Sequence, residues 1–239
     1  MKNKVVIIGG TSGIGYAAAQ KFHHENFAVV IAGRDPEKLK SALQNFSHDT
    51  SGFAVDAASP AAIKNLYDSI GPFDHLILSL SGAKGAGPFA TLDLDDLRQG
   101  FAAKYWVQVL AAQMALPYLH AEGSITFVTA VSARMANPGT AGLAAINGAL
   151  ECMVPTLALE LAPLRINAVS PGVVDTPWWN CLPSEQRQAT FEQYSQTAPL
   201  RKIGQPENLA EAIYALATNS FITGQILAVD GGLRLRSGA

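Results

Sequence analysis

Residues 5–15 read Val-Val-Ile-Ile-Gly-Gly-Thr-Ser-Gly-Ile-Gly, and no other stretch restricts the fold as much. Val5 to Ile8 is an apolar run of strand length. Gly9 to Gly15 is a glycine-rich turn, and Ala17, Ala18 and Ala19 open a helix. A helix that starts this way leaves its first N–H groups unpaired at the positive end of its dipole. A pyrophosphate fits that seat, and glycine lets it approach the backbone and lets the chain turn with φ > 0. Gly9, Thr11, Ser12, Gly13, Ile14 and Gly15 are therefore candidate contacts to a dinucleotide.

The rest of the chain alternates in the same way. Apolar runs predict strands at 27–32, 52–56, 74–80, 124–128, 165–169 and 226–229. Asp35 before Pro36 and Ser59 before Pro60 read as helix N-caps with proline in the first turn. A long helix is expected over 94–119, with Gly100 near its start and Pro117 near its end. Further helices are expected over 141–161, with Pro155 inside, and over 206–218. Most strands are apolar on both faces, which argues for an α/β, doubly wound parallel sheet of about seven strands with helices on both sides. No linker or repeat interrupts residues 1–239, so a single domain is expected, with 171–200 as a flap on the substrate side.

Composition excludes several classes. The net charge of −2 provides no basic field for nucleic acid. Two cysteines, Cys152 and Cys181, argue against a disulfide framework and for a reducing, cytoplasmic setting. Val5 to Ile8 is too short for a signal peptide's apolar core, and no apolar stretch reads as long enough to span a bilayer, so no membrane is expected. His23, His24, His48, His75 and His120 do not stand in metal-ligand spacing, so no metal site is expected.

The second strand identifies the dinucleotide. A carboxylate at its end favours a free ribose 2′-hydroxyl, whereas a nearby arginine accommodates a 2′-phosphate. Here it ends Ala32-Gly33-Arg34, and Asp35 is committed to capping the next helix. NADP(H) is therefore the expected cofactor, with Arg34 at its 2′-phosphate.

At this point the chain resembles the short-chain dehydrogenase/reductase family along nearly its whole length. The family's T-G-x-x-x-G-x-G turn is similar to Ile8-Gly9 through Gly13-Ile14-Gly15, with Ile8 in place of threonine. Asp56, followed by Ala57, matches the acid at the adenine ring. Asn167 through Pro177 matches the segment that holds the nicotinamide, which implies contacts from Pro171, Gly172, Val174 and Thr176. Arg201, Gly204, Pro206 and Glu207, with 222–225 and 229–232, match the C-terminal signatures. The resemblance implies a Rossmann-type sheet, a small-molecule substrate, and a homodimer or homotetramer built through the long helices and the C-terminal strand.

The match breaks at the proton chemistry. The family's asparagine-glycine motif is only partly kept as Ser79-Leu80-Ser81-Gly82, where Ser81 and Gly82 still adjoin the cofactor. The family's serine falls on Ala130, its tyrosine on Leu143, its lysine on Asn147 and its asparagine on Lys104. No tyrosine or lysine occurs from Pro138 to Pro163. Leu143 cannot donate a proton and Ala130 cannot hold a carbonyl oxygen. The lysine and asparagine positions are exchanged, however, so Lys104 and Asn147 are candidate catalytic residues, with Asn147 also able to bond a ribose hydroxyl. Trp178 and Ser132 are candidate substrate contacts. Tyr105 points about 100° away from Lys104 around a helix and is expected to pack. Two classes of function fit: an NADP(H)-dependent oxidoreductase with an altered acid–base set, suited to imines or activated C=C bonds rather than plain ketones, or a non-catalytic NADP(H)-binding sensor or assembly subunit.

Overall fold

Apolar runs buried on both faces pair into one parallel sheet in the computed structural model, which describes residues 2–47 and 49–235. The strands are β1 (Lys4–Ile8), β2 (Ala28–Gly33), β3 (Thr50–Ala54), β4 (Phe73–Leu78), β5 (Leu119–Val128), β6 (Arg165–Pro171) and β7 (Ile226–Val229). Their order is β3-β2-β1-β4-β5-β6-β7, and every pairing is parallel. The helices are α1 (Gly13–His24), α2 (Pro36–Leu43), α3 (Pro60–Ile70), α4 (Leu94–Gly100), α5 (Val107–Ala115), α6 (Ala141–Glu160), α7 (Ser184–Thr197) and α8 (Pro206–Thr218). Two cores sandwich the sheet. Ile63, Leu66, Ala111, Ala115, Leu150 and Val154, from α3, α5 and α6, fill one face. Ala18, Phe22, Leu39, Leu209, Ile213 and Leu216, from α1, α2 and α8, fill the other. The strand order reverses between β1 and β4, and a doubly wound sheet opens its ligand crevice at that switch point.

Local chemistry corrects several expected boundaries. The helix expected over 94–119 stops at Ala115, because Pro117 has no N–H to carry the ladder on. Leu119 then opens β5 and pairs with Phe73, with an irregularity in register before His75. The same long helix is interrupted by a π-helical turn, Phe101–Trp106, between α4 and α5. β3 runs over Thr50–Ala54 rather than 52–56, since the Asp56 carboxylate turns back to accept the Ala58 N–H at 3.0 Å. β4 covers Phe73–Leu78, one residue earlier than expected at its start and two at its end. α1 begins inside the glycine turn, at Gly13, not at Ala17. β6 extends through Pro171, two residues beyond its expected end, and α7 follows it as a helix of 14 residues. Both expected N-caps are made: Asp35 accepts from the N–H groups of Glu37 and Lys38, and Ser59 from that of Ala62.

One helix also corrects the membrane reading: α6, at 20 residues, is long and apolar enough in composition to cross a bilayer. Gly142, Ile146, Asn147, Leu150, Glu151, Val154 and Ala158 form its buried stripe, at helical spacing. The polar Asn147 and Glu151 in that stripe are committed to partners within the fold. Of the residues named above, His48 lies outside the described residues.

Candidate functional site

The candidate residues gather along the carboxyl ends of β1 to β6. Close packing forces the glycines there. Gly9 has φ +88°, and a Cβ on it would stand 2.3 Å from the Ser79 carbonyl oxygen across the switch point. A Cβ on Gly15 would stand 2.2 Å from the Gly9 carbonyl oxygen, so the helix sits directly on the turn. Ser12 is the N-cap of α1 in extended conformation, and its side chain caps no N–H among the described residues. The first N–H groups of α1 are thus not satisfied by Ser12. Thr11 lies over Gly33, where a Cβ would meet its Cγ2 at 2.6 Å. That contact explains why the acid position at the end of β2 holds glycine. Arg34 is exposed, with no hydrogen bond or ion pair among the described residues, and Asp35 beside it is held by its capping bonds. Asp56 is exposed while Ala57 is buried beneath it. Gly172, Val174 and Thr176 leave the end of β6. Gly172 N–H donates to the Val229 carbonyl, Val174 is buried, and Thr176 packs against Gly13.

The other half of the site is made of side chains. Lys104 lies on the π-helical turn and is only 9% exposed in the single chain, which rules out a solvated lysine. Its Nζ donates to the Thr129 carbonyl at 3.1 Å. Burial pushes its pKa down to about 8, and the Glu151 carboxylate opposes that shift. Asn147, on the second turn of α6, is 3% exposed. Its Nδ2 donates to Ser132 Oγ at 3.1 Å and to the Leu143 carbonyl at 2.9 Å, and its Oδ1 has no partner among the described residues. Thr129 and Ser132 flank Ala130 and Val131 in one loop after β5, so Lys104 and Asn147 are anchored on the same short segment. One turn beyond Lys104, Gln108 is fully buried and donates to the Leu80 carbonyl at 3.1 Å, while its Oε1 is unpartnered among the described residues.

Sequence reasoning missed Glu151. It is 5% exposed and accepts from Ser170 Oγ at 2.7 Å, Thr129 Oγ1 at 2.9 Å and Arg134 Nε at 2.7 Å. The signal was present: a carboxylate four residues after Asn147, on the buried stripe of an otherwise apolar helix.

The segment after β6 leans over this cleft. Trp178 Nε1 donates to the Gly82 carbonyl at 3.3 Å, so the flap touches the loop that follows β4. Trp179 packs edge-on against Trp178 and Phe191. Tyr194 on α7 accepts from Asn137 Nδ2 at 2.9 Å, which ties α7 to the loop before α6. Arg187 pairs with Asp175 at the base of the flap. Ser81 lies exposed beside Gly82. Tyr105 packs away from the cleft, its hydroxyl 3.3 Å from Met153 Sδ.

This arrangement has known relatives. The family model described as enoyl-(acyl carrier protein) reductase matches residues 9–234. The chain therefore belongs to that family, within the short-chain dehydrogenase/reductases. It is 31% identical to a small-chain dehydrogenase solved in complex with NADPH, with a TM-score of 0.87 over 99% of this chain and 100% of that one. It is 26% identical to the MalC reductase/Diels-Alderase of Malbranchea aurantiaca, with a TM-score of 0.88 over 98% and 97% of the two chains. A 3-oxoacyl-[acyl-carrier-protein] reductase, FabG of Thermotoga maritima, is 28% identical over 98% of each chain. The chain is thus of the oxidoreductase type that these relatives represent.

Proposed function

We propose that this protein is an NADP(H)-dependent oxidoreductase in which Lys104, not a tyrosine, supplies the proton. One observation carries the reading: a lysine ammonium is buried at the loop after β5, on the segment that also anchors Asn147. The cofactor fits the residues present. The Gly9–Gly15 turn is packed so closely that a Cβ at Gly9 or Gly15 would collide with backbone, and the helix it opens has first N–H groups that Ser12 does not cap. Arg34 is unpaired among the described residues and suits a 2′-phosphate. Asn147 Oδ1 is a buried acceptor awaiting a donor, which a ribose hydroxyl provides. Gly13, Thr11, Ile14, Asp56, Ala57, Ser81, Gly82, Pro171, Gly172, Val174 and Thr176 complete the proposed contacts.

NADPH when bound supplies a hydride. Lys104, with a pKa near 8, holds a transferable proton at neutral pH. By the resemblance, Ala130 and Leu143 occupy the usual serine and tyrosine positions, and neither can polarise or protonate a plain ketone. An iminium needs no added proton, and an activated C=C can take one from Lys104 or water. Those are the proposed substrates, walled by Trp178 and Ser132 beneath a flap spanning 171–200 of a single domain. A second copy is proposed to cover the α4–α5 face, where exposed Leu94 and Trp106 line a groove of about 380 Å³.

The test follows NADPH absorbance over a panel of cyclic imines, enones and ketones. Turnover of enones, which need the added proton, is expected to fall about a hundredfold in Lys104→Met and to survive in Tyr105→Phe. Tight NADPH binding without turnover of any panel member would favour the non-catalytic reading.

A further inference from the structure

We propose that Glu151 is the positioning residue of Lys104, holding its ammonium at the end of β5 through Thr129. This rests on the reading of Lys104 as proton source. The chain of contacts is continuous. Lys104 Nζ donates to the Thr129 carbonyl at 3.1 Å, and Thr129 Oγ1 lies 2.9 Å from Glu151 Oε1 and 3.1 Å from the Val169 carbonyl. A hydroxyl has one proton, and the carboxylate is the stronger acceptor. Ser170 Oγ donates to the same Glu151 oxygen at 2.7 Å, while Arg134 Nε takes the other at 2.7 Å. Glu151 therefore ties together the ends of β5 and β6 and the loop carrying Ser132, with α6 as its base.

A buried carboxylate is stable only when paired and fully hydrogen-bonded, and so is a buried ammonium. Each supplies what the other lacks. α5 carries no charged residue, and on α4 Asp95 pairs with Arg98 while Asp96 pairs with Lys84. Among the described residues of the elements packed against the Lys104 turn, Glu151 is thus the anion left to face the ammonium, with Arg134 the cation competing for it. Tyr105 is engaged with Met153, and Cys152 is exposed on the far side of α6. The sense of the tuning follows from burial, which lowers the Lys104 pKa, and from Glu151, which raises it. Without the carboxylate the Lys104 pKa would fall further, and the charge on its bond to the Thr129 carbonyl would be lost at a lower pH.

The experiment reads Lys104 directly, without turnover. Full-length protein carrying ¹⁵Nζ-lysine is titrated by NMR, and the Lys104 signal is assigned by its loss in Lys104→Met. The wild-type midpoint is expected near 8. Glu151→Gln is expected to lower it by about one pH unit or more. Arg134→Ala, at a half-exposed position that folding tolerates, is expected to raise it by freeing the carboxylate's charge for Lys104. Thr129→Val removes the hydroxyl link and is expected to lower it less than Glu151→Gln. Midpoints unchanged in both Arg134→Ala and Thr129→Val overturn the proposal, even where Glu151→Gln does not fold. Midpoints that shift as stated while turnover ignores Lys104→Met would leave Glu151 as the positioning residue and overturn only the proton-source reading.

Discussion

The two halves of the cleft are built by different means. At the ends of β1 and β4 the work is done by backbone: Gly9 against the Ser79 carbonyl, Gly15 against the Gly9 carbonyl, and α1 with its opening N–H groups uncapped by Ser12. At the ends of β5 and β6 it is done by side chains: Lys104, Asn147, Glu151, Thr129 and Ser170, nearly all of them buried. A backbone site has few solutions, because each glycine is fixed by a collision that no other residue avoids. A side-chain site has several if an ammonium can reach one loop from either of two helices, as the proposed exchange requires. The proposed exchange of lysine and asparagine is possible in the second half and has no counterpart in the first.

The largest expected effect tests the backbone half. Gly9→Ala would set a Cβ 2.3 Å from a backbone oxygen at φ +88°. Neither partner can move without parting β1 from β4, so a loss of more than about 4 kcal/mol is expected, seen as insoluble protein or collapse of the urea midpoint. Gly13→Ala is the contrast. Its φ is +53° and its new Cβ would meet the Thr176 side chain at 3.3 Å, which can shift. About 1 kcal/mol of destabilisation is expected there, with the fold retained. If Gly9→Ala were as mild as Gly13→Ala, steric constraint would not be what fixes the first half.

A second contrast sets His75 against Lys104, two buried basic groups in different surroundings. His75 on β4 packs against the rings of Phe22 and Phe27, bonded through Nδ1 to Ser124 Oγ at 2.9 Å. Burial pushes its pKa down to about 4, with Asp74 opposing and Arg165 adding to the fall. The unfolded chain then takes up the proton first, near its ordinary value of about 6.5. His75 therefore contributes full stability above that pH, and the contribution is lost as pH falls from there towards 4. The difference amounts to about 3 kcal/mol. Urea unfolding at pH 7 and pH 4.5 should show a smaller acid loss in His75→Gln than in wild type. Equal losses would mean that His75 is not held neutral. Where no carboxylate is hydrogen-bonded beside the base, the fold keeps it uncharged. Where Glu151 is wired in, it keeps the charge.

The backbone half was legible in the sequence because glycines, capping residues and proline mark it directly. Asp35, Ser59 and the 5–15 stretch all stand where their residue types required. What stayed hidden depends on tertiary contact. The π-helical turn at 101–106 leaves no compositional trace, and Pro117 ended α5 earlier than its apolar pattern suggested. α7 buries no residue, so it carries no apolar stripe from which its length could be read. Lys104 and Asn147 could be named from the resemblance, but Glu151 could not. Its partners Thr129, Ser170 and Arg134 come from three separate segments that only the folded sheet brings together.

A coupling of the same modest size decides whether the side-chain half is one unit. Asn147→Lys alone would place a second ammonium beside the loop already held by Lys104, with Glu151 as the shared counter-charge. Stability is expected to fall by about 2 kcal/mol. Lys104→Asn alone removes the resident cation, and Glu151 keeps only Arg134 as its charged partner. The double variant restores one lysine and one asparagine with their helices exchanged. If the two positions serve the same loop, urea unfolding and NADPH titration should show the double variant better than the sum of the singles by about 1–2 kcal/mol. Additivity within about 0.5 kcal/mol would separate the two residues energetically, however close their anchors on Thr129 and Ser132. Lys104 would then be a structural cation, and the two halves of the cleft would differ in composition but not in their freedom to relocate a catalytic group.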